Sequence, residues 1–534
     1  MGLHADLVLK GAHIVTMDDR LPTAEALAVQ GEQIIGVGAA HDFETVTDAD
    51  TVVLDLGGST VVPGLNDNHC HPLTGAQNLA AVDISGTKNH AELFAMLRDR
   101  AARTPEGEFI VAYGFQEHLW EEGRVPTLAE MDAALPHHPL HITRACQHTG
   151  LTNSPGLAFM HWDDATPDPS GGTLIREGGK LTGELHEAAN FALRNSIPQM
   201  TTDQLAESMK EMSRQYNSYG ITSTTDMGLL NGRDDEYVIW GKVLANDYLT
   251  VRTAAYLFTE NYERMLAAQI PLPLGDSLYR LHGRKIIIDG SGGPATARMT
   301  SPSYTRKDRG ILYYNQEQLD AAILQAHLNG HQIAAHAIGD EAIGMLLDSY
   351  EKAQARLPRP DIRHRIEHCS FALPPLPDRI ARAKVYPCFS TGYFYFFGEA
   401  HLANYGLERV QWELPYRAIF DRGIECANAT DAPVLTLDPA PSLYGAIARR
   451  TAKGDDCGQA QRCTPYEALR SYTYAGAFLT HEEKIKGTLT AGKLADITVL
   501  NMDPTDPTLT EEPERILDLK IQRTILGGKT VYEG

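Results

Sequence analysis

The chain has 534 residues, of which 43% are hydrophobic, and its formal net charge at pH 7 is −22. A single hydrophobic core stops growing at about 250–300 residues, so this length predicts at least two folding units. The acidic balance and the lack of a basic run in the sequence argue against nucleic acid and anionic membrane surfaces as partners.

The sequence shows neither a membrane span nor the pattern of a secretory leader. No stretch approaches the roughly 20 apolar residues needed to cross a bilayer, and the start of the chain mixes Asp6 and Lys10 with apolar residues. The seven cysteines are scattered without a Cys-x-x-Cys pair. We therefore expect a cytoplasmic protein with reduced thiols.

Both ends of the chain contain short β-type runs separated by glycine and aspartate. The predicted strands are Leu7–Leu9, Ile14–Thr16, Leu27–Val29, Gln33–Val37 and Val52–Leu54 near the start, and Ile497–Leu500, Ile521–Leu526 and Thr530–Tyr532 near the end. We expect residues 1–60 and 482–534 to pair into one small β-sandwich domain.

Between the two ends, apolar β-type runs alternate with helical patterns, which is typical of βαβ units around a parallel sheet. The predicted strands are Thr60–Leu65, Ile221–Asp226, Thr250–Leu257, His282–Ile288, Gln332–His336, Arg363–His368, Lys384–Phe389 and Ile424–Ala429. Eight strands close a (β/α)₈ barrel, so residues 61–481 are predicted to form an α/β, TIM-like barrel.

The segment at about 83–200 is too long for a single crossover between barrel strands. It has helical patterns of its own at Asn89–Ala102 and Thr127–Ala134. We expect this segment to be a subdomain inserted after the first barrel strand.

His69 and His71 follow the apolar run Val61–Leu65. Residues i and i+2 of a strand point to the same side, so both imidazoles would face one side and could bind a divalent metal together. The alternative is a surface pair near a turn, because a His-x-His pattern also occurs by chance.

Three later predicted strands lead to side chains that can bind metal, namely His336, His368 and Asp431. In a parallel barrel, the C-terminal ends of all strands open on one face, where barrel enzymes have their active sites. One histidine at a strand end is usually a hydrogen-bonded core residue, but several at one barrel mouth predict a metal centre.

Lys285 lies inside an otherwise apolar predicted strand. Burial disfavours the charged ammonium, and a neutral amine can add CO₂ to give a carbamate that bridges two metal ions. The alternative is a lysine at the start of the strand whose side chain extends to solvent.

These residues resemble the amidohydrolase superfamily, and within it the YtcJ-like branch, amidohydrolase family 3, which includes N-substituted formamide deformylases. The matching stretches extend over nearly the whole chain, and they include Val62–Leu65 through His71, Asp289–Ser291, His336–Asp340, Arg363–His368, Asp431–Pro433, Gly487–Leu489 and Gly492–Asp496.

The resemblance implies a metal centre with two positions. His69, His71 and Asp431 would bind the first ion, His336 and His368 would bind the second, and Lys285 would bridge them as its carbamate. The implied cofactor is a divalent metal, with Zn²⁺ as the expected identity and one or two ions as the alternatives.

The resemblance also concerns the inserted segment, where His148 precedes Asn153-Ser154. It implies that His148 leans over the metal centre and contacts the substrate carbonyl. From the sequence we also name Trp120 and Tyr393 as substrate-binding residues, because Tyr393 begins an aromatic run that would border the barrel mouth. The alternatives are a loop histidine that stabilises the insert and hydrophobic clusters that anchor loops.

The expected function is a metal-dependent hydrolase that cleaves an amide-type C–N bond, other than a peptide bond, in a small organic molecule. Metal coordination lowers the pKa of bound water to about 7 and so supplies a nucleophile. Asp431 would accept its proton and deliver it to the leaving nitrogen, with His148 as a further donor to the carbonyl oxygen.

Several alternatives remain open. The same metal centre could catalyse ester or lactone hydrolysis, deamination or decarboxylation. A non-catalytic regulatory protein is disfavoured because Asp431 and the histidine set are complete. A redox-cofactor enzyme is disfavoured because Gly290–Gly293 lacks the GxGxxG spacing. The sequence leaves the number of subunits open, with a homodimer as one alternative.

Overall fold

The computed structural model describes residues 4–115, 117, 120–144, 149–228, 233 and 235–534. The chain divides into two compact units, one formed by residues 1–75 with 209–534 and the other by residues 76–208. The first unit contains a barrel and a small β domain, as the sequence predicts.

The small β domain consists of two sheets to which both chain ends contribute. The four-stranded sheet has the order Gln33–Gly38, Ala26–Gln30, Leu7–Lys10 and Val52–Asp55. The six-stranded sheet has the order Lys529–Glu533, Ile521–Leu526, Ile497–Leu500, Thr60–Pro63, His13–Val15 and Thr23–Ala24. Apolar residues of both sheets, including Leu27, Val61 and Ile497, share one buried core. Burial of these faces stabilises the sandwich.

The barrel is one sheet of eight parallel strands that follow one another in sequence order. They are Leu65–Cys70, Ile221–Asp226, Arg252–Leu257, Tyr279–Ile287, Gln332–Ala337, Arg365–His368, Tyr386–Phe389 and Ala427–Asn428. A two-residue strand, Leu274–Gly275, adds to the fourth strand in the antiparallel sense. The predicted barrel is therefore confirmed.

Hydrogen bonds at the C-terminal end of the first strand and just beyond the eighth strand connect the two edges of this sheet. The Asp431 amide donates to the His69 carbonyl at 2.8 Å, and the His71 amide donates to the Ala432 carbonyl at 2.8 Å. The two sequence segments are therefore neighbours at the C-terminal mouth of the barrel.

The first predicted barrel strand, Thr60–Leu65, was wrong in position. Thr60–Pro63 belongs to the small β domain and pairs with Ile497–Leu500, whereas the barrel strand is Leu65–Cys70. The barrel strand has a polar sequence. Its buried Asn68 side chain donates hydrogen bonds to the Asn66 and Asn428 carbonyls. Hydrophobic patterning does not detect such a strand.

Helices accompany the barrel strands on the outside of the sheet and in the loops. Their bounds are Pro72–Asn78, Thr202–Ser218, Glu236–Ala245, Thr259–Ala267, Gln316–Leu328, Asp340–Arg356, Leu376–Ala383, Gly392–Tyr405, Leu407–Val410, Tyr416–Phe420, Pro439–Ala448, Pro465–Ser471 and Tyr474–Leu479. Within the described ranges, every helix is too short or too polar to cross a bilayer.

The second unit, residues 76–208, has its own sheet and core. Its strands have the order Gly172–Glu177, Lys180–Glu187, Thr149–Leu151, Leu140–Arg144, Ile110–Phe115 and Val82–Asp83, and its helices are His90–Ala101, Leu128–Ala134, Ser154–Phe159 and Ala188–Ser196. Asn89 and Thr127 cap two of these helices by accepting the Glu92 and Glu130 amides. The predicted insertion at about 83–200 lies inside this range.

Candidate metal centre

Three predicted ligands converge at the barrel mouth. His71 Nε2 lies 3.3 Å and His69 Nε2 lies 3.6 Å from Asp431 Oδ1. Within the described part of the chain, these three buried residues are the one group of histidine, cysteine and carboxylate side chains close enough to share an ion.

The opposite ring nitrogens of the two histidines are held by acceptors. His69 Nδ1 lies 2.6 Å from Glu367 Oε2, and His71 Nδ1 lies 2.7 Å from the Gly228 carbonyl. Both Nδ1 atoms must therefore carry the proton, which leaves lone pairs on both Nε2 atoms. Two lone pairs and a carboxylate oxygen around one point repel each other unless a cation lies among them. The donor set fits a divalent metal.

A buried ion pair supports Glu367. Arg365 Nε and Nη2 lie 2.7 and 2.9 Å from the two carboxylate oxygens, and neither side chain is exposed. Arg365 also donates to the Asn68 carbonyl at 2.6 Å. The guanidinium thereby fixes Glu367, and through it the His69 ring, to the first barrel strand. Arg365 and Glu367 were not predicted from the sequence as site residues, although two charges at i and i+2 in a short barrel strand are a usable signal.

Protonation states also favour metal binding. Burial lowers the pKa of His69 well below its usual value, and the charge of Lys285 lowers this pKa further. Burial raises the pKa of Asp431, but its histidine neighbours, His71 foremost, outweigh burial and hold this pKa below its ordinary value. A neutral His69 and an ionised Asp431 are the forms that bind a metal.

Lys285 lies inside the barrel beside the first ligand. Its Nζ is 3.2 Å from His69 Nε2, and its side chain is buried. Burial lowers the pKa of Lys285 to about 8, while the charges of Glu367 and Asp431 raise it. At this pKa about a tenth of the amine is neutral at pH 7. The burial of the side chain excludes the alternative of a lysine that extends to solvent.

His336 and His368 lie next to this group. The ring centroid of His368 lies 4.5 Å from that of His69 and 4.6 Å from that of His336. His336 Nε2 lies 3.0 Å from the Gly290 carbonyl, which leaves its Nδ1 free of that contact. Burial lowers the pKa of His336 to about 4, so its ring is neutral. The structure therefore brings together all six predicted metal-binding side chains.

The backbone is unusual at two of these strand ends. His368 has φ 64° and Asp431 has φ 59°, both in the left-handed region. A residue with a Cβ atom pays about 1–2 kcal/mol for this conformation, and such strain is concentrated at functional sites.

Tyr393 connects the centre to an adjacent cavity. Its hydroxyl donates to Asp431 Oδ2 at 2.5 Å and lies 3.4 Å from His368 Nδ1. Its ring lines a cavity of about 390 Å³, which is within the size range of small-molecule sites. Residues that follow several ligand-bearing strands also line this cavity, among them Ile338, Ser370 and Val434.

The other two predicted substrate contacts fall in the second unit. Trp120 lies in the apolar core of that unit, where it stacks on Phe115 and its indole N–H donates to Thr87 Oγ1 at 2.9 Å. This placement gives Trp120 a packing role, and its contact with substrate stays a prediction. His148 lies outside the described residues.

Comparison with known proteins agrees with the resemblance seen in the sequence. The chain matches the amidohydrolase family over residues 52–532. It is 27% identical to N-substituted formamide deformylase of Arthrobacter pascens, covering 99% of this chain and 98% of that protein. It is 25% identical to the putative amidohydrolase YtcJ of Bacillus subtilis strain 168, covering 98% of each.

A solved structure shares the fold. It is that of an uncharacterized metal-dependent hydrolase from Pyrococcus furiosus, with a TM-score of 0.76, 24% identity, and coverage of 94% of this chain and 100% of that one. Given the family match over most of its length, the chain belongs to the amidohydrolase family, in the branch that contains YtcJ and N-substituted formamide deformylase.

Proposed function

We propose that the protein is a metal-dependent hydrolase that uses water to cleave an amide-type C–N bond in a small organic molecule. The observation that carries this proposal is the approach of His69 Nε2 and His71 Nε2 to a single oxygen of Asp431. Family membership supports hydrolysis, and the relative named N-substituted formamide deformylase supports a C–N bond as the target.

His69, His71 and Asp431 would hold the first ion. Nitrogen and carboxylate ligands at three positions suit Zn²⁺ and leave a coordination position open, as in catalytic zinc sites. His336 and His368 would hold a second ion, with the Lys285 carbamate as an anionic bridge. A divalent ion, when bound, lowers the pKa of water and polarises a carbonyl oxygen.

Asp431 is the residue placed to move the proton. Its Oδ1 atom faces the two imidazoles, whereas its Oδ2 atom accepts the Tyr393 hydroxyl. An ionised carboxylate at this position can accept a proton from water and return it to the leaving nitrogen, which departs poorly as an anion. Tyr393 keeps the carboxylate from rotating during this transfer.

The cavity beside Tyr393 is the proposed substrate site. Its walls are mainly apolar and include Phe397, Pro294 and Val434. Apolar walls with a few polar groups are typical of sites for small organic ligands.

The test combines elemental analysis of the purified protein with an activity panel of N-acyl, N-formyl and cyclic amides, assayed with and without a chelator. We expect zinc in the protein, amide hydrolysis that the chelator abolishes, and restoration by added zinc. Asp431→Asn should abolish turnover and keep most of the metal. Chelator-resistant hydrolysis, or near-normal turnover of Asp431→Asn, would refute the proposal.

A further inference from the structure

The cavity beside the metal centre contains a polar group that the hydrolytic centre does not use. His401 lines this cavity and is only 2% exposed. Its Nδ1 lies 2.8 Å from Glu413 Oε1, and Glu413 is fully buried. The contact is at ion-pair distance but lacks good hydrogen-bond geometry, and in the described chain neither Glu413 oxygen has another hydrogen-bond partner. The imidazole is thus the donor nearest to a buried carboxylate.

A second cationic side chain lies near Glu413. The guanidinium of Arg449 donates to the Glu413 backbone carbonyl at 2.7 Å; burial lowers the pKa of Arg449 to about 10, and the charge of Glu413 raises it. With this cation nearby, the neutral form of His401 can serve as the donor to the carboxylate. A neutral imidazole that directs its Nδ1 proton to Glu413 has a lone pair on Nε2.

The Nε2 edge of His401 faces the loop that follows the fourth barrel strand. A Cβ atom added at Gly292 would lie 2.9 Å from this nitrogen. Gly292 also lines the cavity. A glycine at this position therefore leaves the Nε2 edge accessible on the cavity side, which a larger side chain would obstruct.

His401 lies close enough to the catalytic region for a single ring of a substrate to contact both. Tyr393, Phe397 and His401 follow each other at i, i+4 and i+8 on the helix Gly392–Tyr405, so they share a face. The ring centroids of Tyr393 and His401 are 6.3 Å apart, and the Tyr393 hydroxyl reaches Asp431.

We propose that His401, positioned by Glu413, is a specificity-determining residue that accepts a hydrogen bond from the substituent of the substrate. The substrate class is an amide that carries one flat apolar ring with a hydroxyl or N–H donor. This inference rests on the proposed function for the identity of the scissile bond, but the binding preference can be measured without turnover.

The test uses three probes that contain no amide bond and cannot be hydrolysed: tyrosol, phenylethanol, and the methyl ether of the tyrosol phenol. Calorimetry with the full-length, zinc-loaded protein should show tyrosol binding about tenfold more tightly than phenylethanol, as expected for one hydrogen bond worth about 1.4 kcal/mol. The methyl ether should bind no better than phenylethanol, because the oxygen on its ring has no hydrogen to donate and the aliphatic hydroxyl is common to all three probes.

Three variants test the assignment to His401. His401→Phe and Gly292→Ala should each bring the affinity ratio of tyrosol to phenylethanol close to one, because one removes the acceptor and the other obstructs it. Gly293→Ala is the matched control: its Cβ would meet no atom within 4 Å, and the ratio should stay as in the wild type.

Two results would overturn the inference: a wild-type protein that binds all three probes equally, or a tyrosol preference that survives both His401→Phe and Gly292→Ala. Failure of the proposed function would appear separately, as a lack of amide hydrolysis by a protein that still prefers tyrosol.

Discussion

Glu367 Oε2 lies 2.6 Å from His69 Nδ1, and both side chains are buried. This contact fixes the tautomer of His69, because a carboxylate can only accept the proton at that nitrogen. It also fixes the rotation of the ring, so that Nε2 points to Asp431. Groups that orient a metal-binding histidine in this way typically change metal affinity when mutated.

Glu367→Gln should weaken zinc binding by about 10- to 100-fold. The amide is isosteric but no longer supplies the negative charge that His69 and Arg365 face. Competition with a chelating dye measures the affinity, and circular dichroism verifies that the variant is folded. Glu341→Gln, in the partly exposed pair with Arg298, is the control and should leave zinc affinity unchanged. Wild-type affinity in Glu367→Gln would show that this carboxylate does not orient the ligand.

Tyr393→Phe should lower kcat by about tenfold with little change in zinc content. The substitution removes only the hydroxyl that donates to Asp431 Oδ2 at 2.5 Å, and a hydrogen bond to a charged group is worth about 1.5–3 kcal/mol. Steady-state kinetics on the best amide substrate measure the effect. Tyr395→Phe on the same helix should behave as the wild type, and an unchanged kcat in Tyr393→Phe would argue against a role in proton transfer.

Lys285→Met should bind one zinc ion per chain, where we propose two for the wild type. Methionine has a similar length but cannot form a carbamate, whereas His69, His71 and Asp431 are retained. Elemental analysis after loading with zinc and bicarbonate gives the stoichiometry. Two ions in the variant would exclude the carbamate as the bridge.

The pKa of Lys285 predicts how loading depends on pH. Burial lowers this pKa to about 8, so the protonated amine dominates below that pH and the neutral amine above it. Only the neutral amine reacts with CO₂. Occupancy of the second site should therefore rise between about pH 7 and pH 9 in the wild type, and it should not rise in Lys285→Met.

Asp496→Asn should destabilise the unit that contains the barrel and the small β domain. Asp496 accepts two hydrogen bonds from Arg252, at 2.7 and 3.0 Å, and both side chains are buried. Removal of the carboxylate charge leaves the buried guanidinium with only the exposed Glu32 carboxylate at 3.6 Å, so the cost should approach about 3–5 kcal/mol, that of a broken buried ion pair. Thermal unfolding should show a fall in apparent Tm of several degrees.

Glu533→Gln is the control for this experiment. Glu533 pairs with Arg523 and is largely exposed, so its loss should cost less than about 1 kcal/mol. Equal Tm values for Asp496→Asn and Glu533→Gln would show that burial does not make the Arg252 pair important.

The sequence was sufficient to predict the barrel, because alternating apolar strands and helices dominate its pattern. It failed at the first barrel strand, where Thr60–Pro63 is apolar and belongs to another domain. The strand Leu65–Cys70 has a polar sequence. Its Asn68 can be buried because it donates a hydrogen bond to the Asn428 carbonyl, where the barrel closes. A hydrophobic sequence pattern detects strands that are buried against apolar neighbours. It does not detect strands whose buried polar side chains are satisfied by hydrogen bonds.

The candidate metal-binding residues could be predicted because most of them lie at or next to the C-terminal end of a barrel strand, where a side chain reaches the mouth. The supporting residues could not be assigned in this way. Glu367 and Arg365 contact His69 and Asn68, which belong to the first barrel strand and lie about 300 residues earlier in the chain. Such roles depend on three-dimensional pairing that one sequence does not contain.

The most direct test is a crystal structure of the zinc-loaded full chain with anomalous scattering recorded at the zinc edge. We expect an anomalous peak bound by His69 Nε2, His71 Nε2 and an oxygen of Asp431, with Glu367 still in contact with His69 Nδ1. A map in which these side chains point apart, with no peak among them, would contradict it.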